Sequence, residues 1–156
     1  MEPYDVMLVE QPVRAADLKG MALVRQSVGP LVMADEAVNS ATDALKIIDA
    51  GAADVISLKI PKMGGIFKAR KAAAVCEAAG IDYLVGTAPG SRLLDAANVH
   101  LAASLKNLKL ACEIGEFERM ANDPASGLEI AGGFSSPPEK PGLGVEVDLA
   151  KIGLAE

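Results

Sequence analysis

The stretch DVISLKIPKMGGI, residues 54–66, decides the fold, because it joins a buried strand directly to charged residues. Val55, Ile56 and Leu58 are apolar and partly β-branched, which is typical of a strand inside a parallel sheet. Lys59 follows at once, and then come Pro61, Lys62 and two glycines. Why a core strand should end on a lysine is answered by the segments on either side of it.

Short β-rich runs alternate with longer Ala-rich segments along most of the chain. The predicted strands are residues 5–9, 31–33, 55–58, 83–85 and 110–112. Between them, apolar residues spaced three and four apart predict helices near residues 15–27, 40–50, 66–79 and 92–105. This alternation predicts a parallel sheet that helices cover.

The strand ends recur at a nearly constant interval. They lie 25, 24, 27 and 27 residues apart, at Glu10, Asp35, Lys59, Gly86 and Glu113. A unit of about 25 residues holds one strand, one helix and two loops, and eight such units build a (β/α)8 barrel. Five units predict an α/β fold with a partial (β/α)8, TIM-type barrel over residues 1–114. Residues 115–156, rich in Gly and Pro, are predicted to form a C-terminal arm packing on the barrel, with short strands at residues 128–130 and 144–147 and a short helix at the end.

The carboxyl ends of barrel strands form one face, so Glu10, Asp35 and Lys59 are expected to lie together. Carboxylate oxygens are the ligands that Mg²⁺ prefers, and Mn²⁺ takes similar ones. Lys59, partly desolvated beside such a dication, would have a lowered pKa and could act as a general base. Glu36 is an alternative to Asp35 as the ligand, because neighbouring side chains of a strand point to opposite faces.

Other conspicuous residues have structural interpretations. We expect Lys62 to be a surface charge or to lie at the rim of a substrate site, and His100 to pack inside a helix. Cys76 and Cys112 lack metal-ligand spacing and are predicted to be buried and reduced. The glycine pair at residues 64–65 does not match a dinucleotide fingerprint. The segment GTAPGSRLL, residues 86–94, is expected to be a plain loop, and the alternative is an anion site at the start of the next helix.

Composition narrows the class of protein. The 156 residues are 51% hydrophobic and 3% aromatic, with a net charge of −6 and scattered basic residues. This balance argues against nucleic acid or an anionic membrane as partner and favours a small molecule. Without a long apolar run or a basic leader, the chain is predicted to be cytoplasmic.

Five segments resemble a known family. They are LVEQPV (8–13), LVMADEAV (31–38), ISLKIPKMGG (56–65), VHLAAS (99–104) and PGLGVEVD (141–148). In this order and spacing they resemble the C-terminal half of the enolase superfamily, in its mandelate racemase and muconate lactonizing enzyme group. A lysine at this strand end, residue 59, is similar to what the muconate-lactonizing branch has there.

The resemblance implies a fold, a metal and residue roles. It implies a modified barrel, strands four to eight of which lie in this chain, and one Mg²⁺ held by carboxylates of strands three, four and five. Glu10 and Asp35 would be the fourth- and fifth-strand ligands. Lys59 would be the sixth-strand acid/base that moves a proton alpha to the carboxylate of a small substrate. Glu113 would be an eighth-strand acid supporting the substrate or the lysine.

The sequence also departs from that family. Thr87 is followed by Ala88, Pro89 and Gly90, where relatives often carry an acid. The capping domain, the second-strand lysine and the third-strand metal ligand have no counterpart in these residues. The reaction, among cycloisomerase, epimerase and dehydratase types, therefore stays open, and the chain by itself is expected to have little activity.

Five strands cannot close an eight-stranded barrel, so we expect two open sheet edges beside an exposed apolar interior. Such a surface would bind a second copy of the chain or the missing N-terminal segment of the same enzyme. The chain could thus be part of a longer enzyme, a shortened reading frame or a half-barrel completed by self-association. The alternative function is an inactive half-barrel fragment that self-associates, and a third is an unrelated half-barrel that binds a phosphorylated ligand.

Overall fold

The computed structural model describes residues 2–154 and contains one parallel sheet of four strands in the order β1-β2-β3-β4. The strands are β1 (Leu8–Glu10), β2 (Leu31–Ala34), β3 (Val55–Leu58) and β4 (Asp82–Val85). Each strand pairs with the next along the chain, and Met33 of β2 lies opposite Glu10 on one side and Val55 on the other. The sequence prediction of a parallel α/β sheet is confirmed.

The helices are α1 (Leu18–Ser27), α2 (Ala41–Asp49), α3 (Ile60–Met63), α4 (Ile66–Ala79) and α5 (Arg92–Ser104). Four of them lie where the sequence predicts a helix, whereas the one-turn helix α3 was not predicted. The Ser40 hydroxyl accepts a hydrogen bond from the Asp43 amide at the start of α2, and Gly80 ends α4 in a left-handed conformation with a φ of 70°. Within residues 2–154, the structure has no helix long and apolar enough to cross a bilayer.

Both faces of the sheet are packed. On the outer face, Ile56 and Leu58 pack with residues of the covering helices in a single large cluster. On the inner face, Met33, Val55 and Leu84 are 1%, 0% and 4% exposed. Leu8 and Leu110, from opposite ends of the sheet, both pack on this inner layer. The expectation of an exposed apolar interior was therefore wrong for these residues, because the sheet curves enough to cover them with its own margins.

The fifth predicted strand, residues 110–112, was also wrong, because no strand is assigned there. The segment runs beside β4, where the Glu113 amide donates to the Val85 carbonyl at 3.0 Å. One such bond does not make a ladder. The segment thus lies where a strand would lie but has only the beginning of its pairing.

The C-terminal residues differ from their predicted elements. Residues 128–130, a predicted strand, are irregular, whereas β5 (Ala125–Ser126) pairs antiparallel with β6 (Glu146–Val147), inside the strand predicted at 144–147. The predicted last helix is a 3₁₀ turn over Ala150–Ile152.

Arg92, the first residue of α5, holds the C-terminal residues against the rest of the chain. Its guanidinium pairs with Asp123 at 3.0 Å and stacks on the Phe117 ring, 4.4 Å from the ring centroid. The Asp123 carboxylate also accepts the Arg92 amide at 3.0 Å, in the manner of a helix cap. Phe117 and Leu128 are each 2% exposed in the small apolar cluster beneath.

Candidate active site

Three strand ends bring charged side chains together at the carboxyl edge of the sheet. Glu10 is the last residue of β1, Asp35 follows β2 and Lys59 follows β3. The Lys59 Nζ lies 2.7 Å from Asp35 Oδ2 and 3.8 Å from Glu10 Oε1. A single ammonium group therefore contacts carboxylates from two neighbouring strands, and the three residues share one site.

A second lysine, Lys62, binds the same aspartate. Its Nζ lies 2.7 Å from Asp35 Oδ1 and also donates to the Asp35 backbone carbonyl. The one-turn helix α3 begins immediately after Lys59, so a residue three positions later faces the same side. Lys62 is therefore not a free surface charge, and its place at the rim of a substrate site stays a prediction. The three-residue spacing of the two lysines was the available signal.

The loop that carries Asp35 is fixed by Gln11, which sequence reasoning missed. The Gln11 Oε1 accepts the backbone amides of Asp35 at 3.0 Å and Ala37 at 3.1 Å, and its Nε2 donates to the Val13 carbonyl at 3.1 Å. Gln11 adopts a φ of 37°, a strained conformation for a residue other than glycine. In this backbone conformation, the Gln11 side chain lies against the loop that follows β2.

The pKa values of the two acids at the site shift in opposite directions. Burial opposes ionisation of Asp35, but hydrogen bonds from Lys59 and Lys62 outweigh it and hold the Asp35 pKa below its usual value. Burial raises the pKa of Glu10, and the neighbouring acids Asp35 and Glu113 raise it further. Asp35 therefore ionises more readily than an ordinary aspartate, whereas Glu10 holds its proton more readily than an ordinary glutamate.

The Lys59 pKa differs from the sequence prediction. Burial lowers it, but the hydrogen bond and charge of Asp35 and the charges of Glu10 and Glu113 together raise the pKa above its usual value. The prediction of a lowered pKa assumed a neighbouring dication. Among the residues of this chain, the neighbouring carboxylates decide that the Lys59 pKa is raised.

Glu113 approaches the site from the β4 side. A Cβ placed on Gly86, which follows β4, would lie 3.2 Å from Glu113 Oε2 and 2.9 Å from Lys59 Cε. Glu113 and the Lys59 tail therefore border the same small volume above Gly86. The backbone bond from Glu113 to Val85 fixes this approach.

The acids partly fit a hard divalent metal. Over residues 2–154, no group of three or more His, Cys, Asp or Glu side chains is arranged to hold a metal ion. Glu10 and Asp35 nevertheless provide hard oxygen donors on adjacent strands, and the Glu10 carboxylate is 40% exposed. Burial raises the pKa of Glu10 and the neighbouring acids Asp35 and Glu113 raise it further, and a cation would offset the negative charge of these acids. These two residues fit part of a magnesium site.

The remaining predicted residues have separate positions. Glu36, the alternative to Asp35, is exposed, whereas Asp35 is 6% exposed and turned into the site. Cys76 is buried, and Cys112 is partly buried; both are free thiols. Burial raises the Cys76 pKa to about 12 and also raises that of Cys112. His100 Nε2 lies 3.3 Å from the Leu143 carbonyl, as expected of a packed histidine.

Asp95 of α5 is a buried acid that sequence reasoning did not single out. It is 1% exposed, and its Oδ2 accepts the amides of Gly115 at 3.1 Å and Phe117 at 3.3 Å. Its Oδ1 accepts from Thr87 and Asn98. Asp95 thereby fixes the segment that follows Glu113.

Comparison with known proteins places this geometry in context. Residues 1–151 match the sequence profile of the family described as enolase C-terminal domain-like. The chain is 42% identical over 109 residues to a hydrophobic dipeptide epimerase of Enterococcus faecalis, covering 69% of this chain and 31% of that protein. It is 36% identical over 153 residues to a chloromuconate cycloisomerase of Cupriavidus necator, covering 97% and 41%.

The fold agrees with these sequence matches. The crystal structure of 2-chloromuconate cycloisomerase from Rhodococcus opacus 1CP superposes with a TM-score of 0.92 at 29% identity, over 97% of this chain and 42% of that one. The α/β fold thus matches the C-terminal barrel part of such structures. The chain spans less than half the length of each of these three relatives.

Proposed function

We propose, from the premise that this chain belongs to the mandelate racemase and muconate lactonizing enzyme group of the enolase superfamily, that it carries the base and two metal ligands of an Mg²⁺-dependent isomerase or lyase. The substrate would be a small carboxylate that loses the proton on its alpha carbon. Lys59 would be the acid/base, Glu10 and Asp35 the metal ligands, and Glu113 a supporting acid.

One observation carries the proposal. The Lys59 ammonium contacts Asp35 at 2.7 Å and Glu10 at 3.8 Å, at the strand ends where barrel enzymes place their chemistry. A lysine solely for stability would not need two acids from two different strands. Its side chain is only 15% exposed, so the group is held away from bulk water.

The residues of this chain would act in a defined order. Lys59 would leave Asp35, give its ammonium proton to water and, as the neutral amine, accept the alpha proton at Nζ. The resulting ammonium would again be stabilised by Asp35 and Glu10. Lys62 stays on Asp35 Oδ1 and keeps that carboxylate in place. When bound, Mg²⁺ would supply positive charge to the substrate carboxylate as negative charge develops on it. Protonation of the resulting carbanion on its opposite face or at another position would complete an isomerisation, because return of the proton to the same place regenerates the substrate.

The reaction type follows only in part from the relatives. Their names describe an epimerase and cycloisomerases, all of which rearrange a substrate without net oxidation. Proton removal beside a carboxylate serves either reaction, and a dehydratase would begin with the same step. The free thiols Cys76 and Cys112 suit a reducing compartment, so we propose a cytoplasmic enzyme without nucleic-acid or membrane partners.

Magnesium titration tests the proposal. Calorimetry on the chain should detect Mg²⁺ binding in the millimolar range or tighter, which Asp35→Ala abolishes. Glu36→Ala is the matched control, because Glu36 is the exposed neighbour of Asp35 and should leave binding unchanged. Binding that survives in Asp35→Ala, or that is lost equally in Glu36→Ala, would contradict the assignment.

A second candidate function is self-association without catalysis. Within the described part of the chain, β1 pairs only with β2, so its other edge is open. Tyr4 and Met7 beside it are 83% and 82% exposed. An open edge with apolar neighbours favours pairing with another chain. A concentration-dependent oligomer in sedimentation that binds no Mg²⁺ would favour this function, whereas a monomer that binds Mg²⁺ would exclude it.

A further inference from the structure

A buried hydroxyl below Lys59 has no hydrogen-bond partner. Ser57 is 0% exposed, and over the described residues its Oγ neither donates nor accepts a bond. An unpaired buried hydroxyl costs stability and calls for an explanation. Alanine would fit the same space without that cost, so the hydroxyl is expected to serve a second state of the site.

The strand geometry places this hydroxyl on the same face as the lysine. Val55 of β3 lies in the inner layer, and side chains alternate, so Ser57 and Lys59 point to the same inner face. Ser57 is paired with Leu84 of β4, which also lies in that layer. The next inward position on β4 is Gly86, directly beside both residues.

Gly86 leaves open the space between the hydroxyl and the lysine. A Cβ at residue 86 would overlap Ser57 Oγ and would lie 2.9 Å from Lys59 Cε. The two side chains thus approach a single point above Gly86, and Glu113 Oε2, 3.2 Å from that point, borders it as well. Rotation about the last bonds of the lysine can carry its Nζ from Asp35 toward Ser57.

We propose that the Ser57 hydroxyl is the second hydrogen-bonding position of the Lys59 amine, occupied when that amine leaves Asp35, and that Gly86 is a positioning residue that keeps the path open. A serine hydroxyl can accept a hydrogen bond from the lysine nitrogen in place of the Asp35 carboxylate. The inference rests on the proposed function in one respect: only a lysine that acts as a base has to leave its carboxylate.

The test removes the first partner and asks whether the second takes its place. In Asp35→Asn, a crystal structure should show Lys59 Nζ within about 3.2 Å of Ser57 Oγ. In the unchanged protein, Ser57→Ala should leave the urea midpoint equal or higher, because the hydroxyl has no partner. In Asp35→Asn, Ser57→Ala should raise the unfolding equilibrium constant about fivefold, the size of one hydrogen bond.

Several results would overturn the inference. One is that Ser57→Ala changes the unfolding equilibrium constant equally in the unchanged protein and in Asp35→Asn. Another is that Lys59 Nζ turns to Glu10, Glu113 or solvent in Asp35→Asn. Gly86→Ala should abolish the fivefold coupling, and coupling that persists would refute the role of Gly86. Since neither metal nor turnover is measured, failure here is distinguishable from failure of the proposed function.

A measurement without a change at Asp35 covers the case in which Asp35→Asn does not fold. If the Lys59 amine samples two partners, the NMR order parameter of its Cε should rise in Ser57→Ala, where one partner is lost. An unchanged order parameter would refute the second position. Ser104→Ala is the control, because that hydroxyl bonds the Leu101 carbonyl at 2.7 Å within α5, so its removal should leave the Lys59 signal unchanged.

Discussion

Lys62→Met tests whether the second lysine is required to hold Asp35. The substitution keeps an apolar stem of similar length but removes the ammonium that contacts Asp35 Oδ1 at 2.7 Å. The Asp35 side chain is 9% exposed and retains its bond to Lys59, so the carboxylate loses half of its cationic partners and not all of them.

The magnitude follows from this partial burial. Removing one partner of a fully buried ion pair costs about 3–5 kcal/mol, whereas an exposed pair contributes about 0–1 kcal/mol. Lys62 is 24% exposed and Asp35 keeps Lys59, so we expect a loss of about 2 kcal/mol in the free energy of unfolding. For a chain of this size, that loss lowers Tm by about 4–8 °C.

Urea unfolding followed by far-UV circular dichroism measures this loss, since the chain has no tryptophan to report by fluorescence. Lys68→Met is the matched control, because Lys68 is an exposed lysine close by in α4 that makes no ion pair among the described residues. The control should shift the free energy by less than about 0.5 kcal/mol. If the two variants are indistinguishable, the Lys62 contact does not hold Asp35 and the reasoning is refuted.

Three further substitutions test other contacts. Burial opposes ionisation of Asp123, but bonds from the Ala125 and Arg92 backbone amides and the Arg92 side chain keep its pKa low, so its contribution is present above pH of about 3.9 and lost as pH falls through the lower folded pKa. Asp123→Asn should therefore cost about 1–2 kcal/mol at pH 7 in urea unfolding, with the gap closing toward pH 3; a constant gap contradicts this. Gln11→Ala should speed hydrogen exchange at the Asp35 amide at least tenfold, and equal protection would show that the Gln11 bond is dispensable. Asp95→Asn turns an amide donor toward backbone amides and should cost about 2 kcal/mol by calorimetry, whereas an unchanged Tm refutes it.

The sequence alone was sufficient for the elements and their order. Up to residue 104, local signals predict every strand and every helix except the one-turn helix α3. The apolar runs, the spacing of three and four, and the caps at Ser40 and Gly80 all depend on neighbours within a few residues. The constant spacing of strand ends then placed Glu10, Asp35 and Lys59 at one edge, because parallel strands align their carboxyl ends.

Two features could not be predicted from local sequence: that residues 110–112 form no strand, and that the apolar inner layer of the sheet is covered. Residues 110–112 have the composition of a strand, but a ladder also needs a partner in register, and the structure supplies one bond to β4. The cover over Met33 and Val55 depends on how strongly the sheet curves, and curvature is a property of the whole sheet that no single strand encodes.

The sequence by itself thus determined which residues reach the edge of the sheet, since a chain's periodicity fixes the face and the end at which a side chain emerges. Only the tertiary structure decided what each one contacts there: that Lys62 joins Lys59 on Asp35, that Gln11 fixes the loop, and that Ser57 is left unpaired. The contacts of Asp35 and Gln11 join residues 24 to 27 positions apart, and the unpaired Ser57 depends on rotamers; both are chosen by packing against neighbours that are distant in sequence.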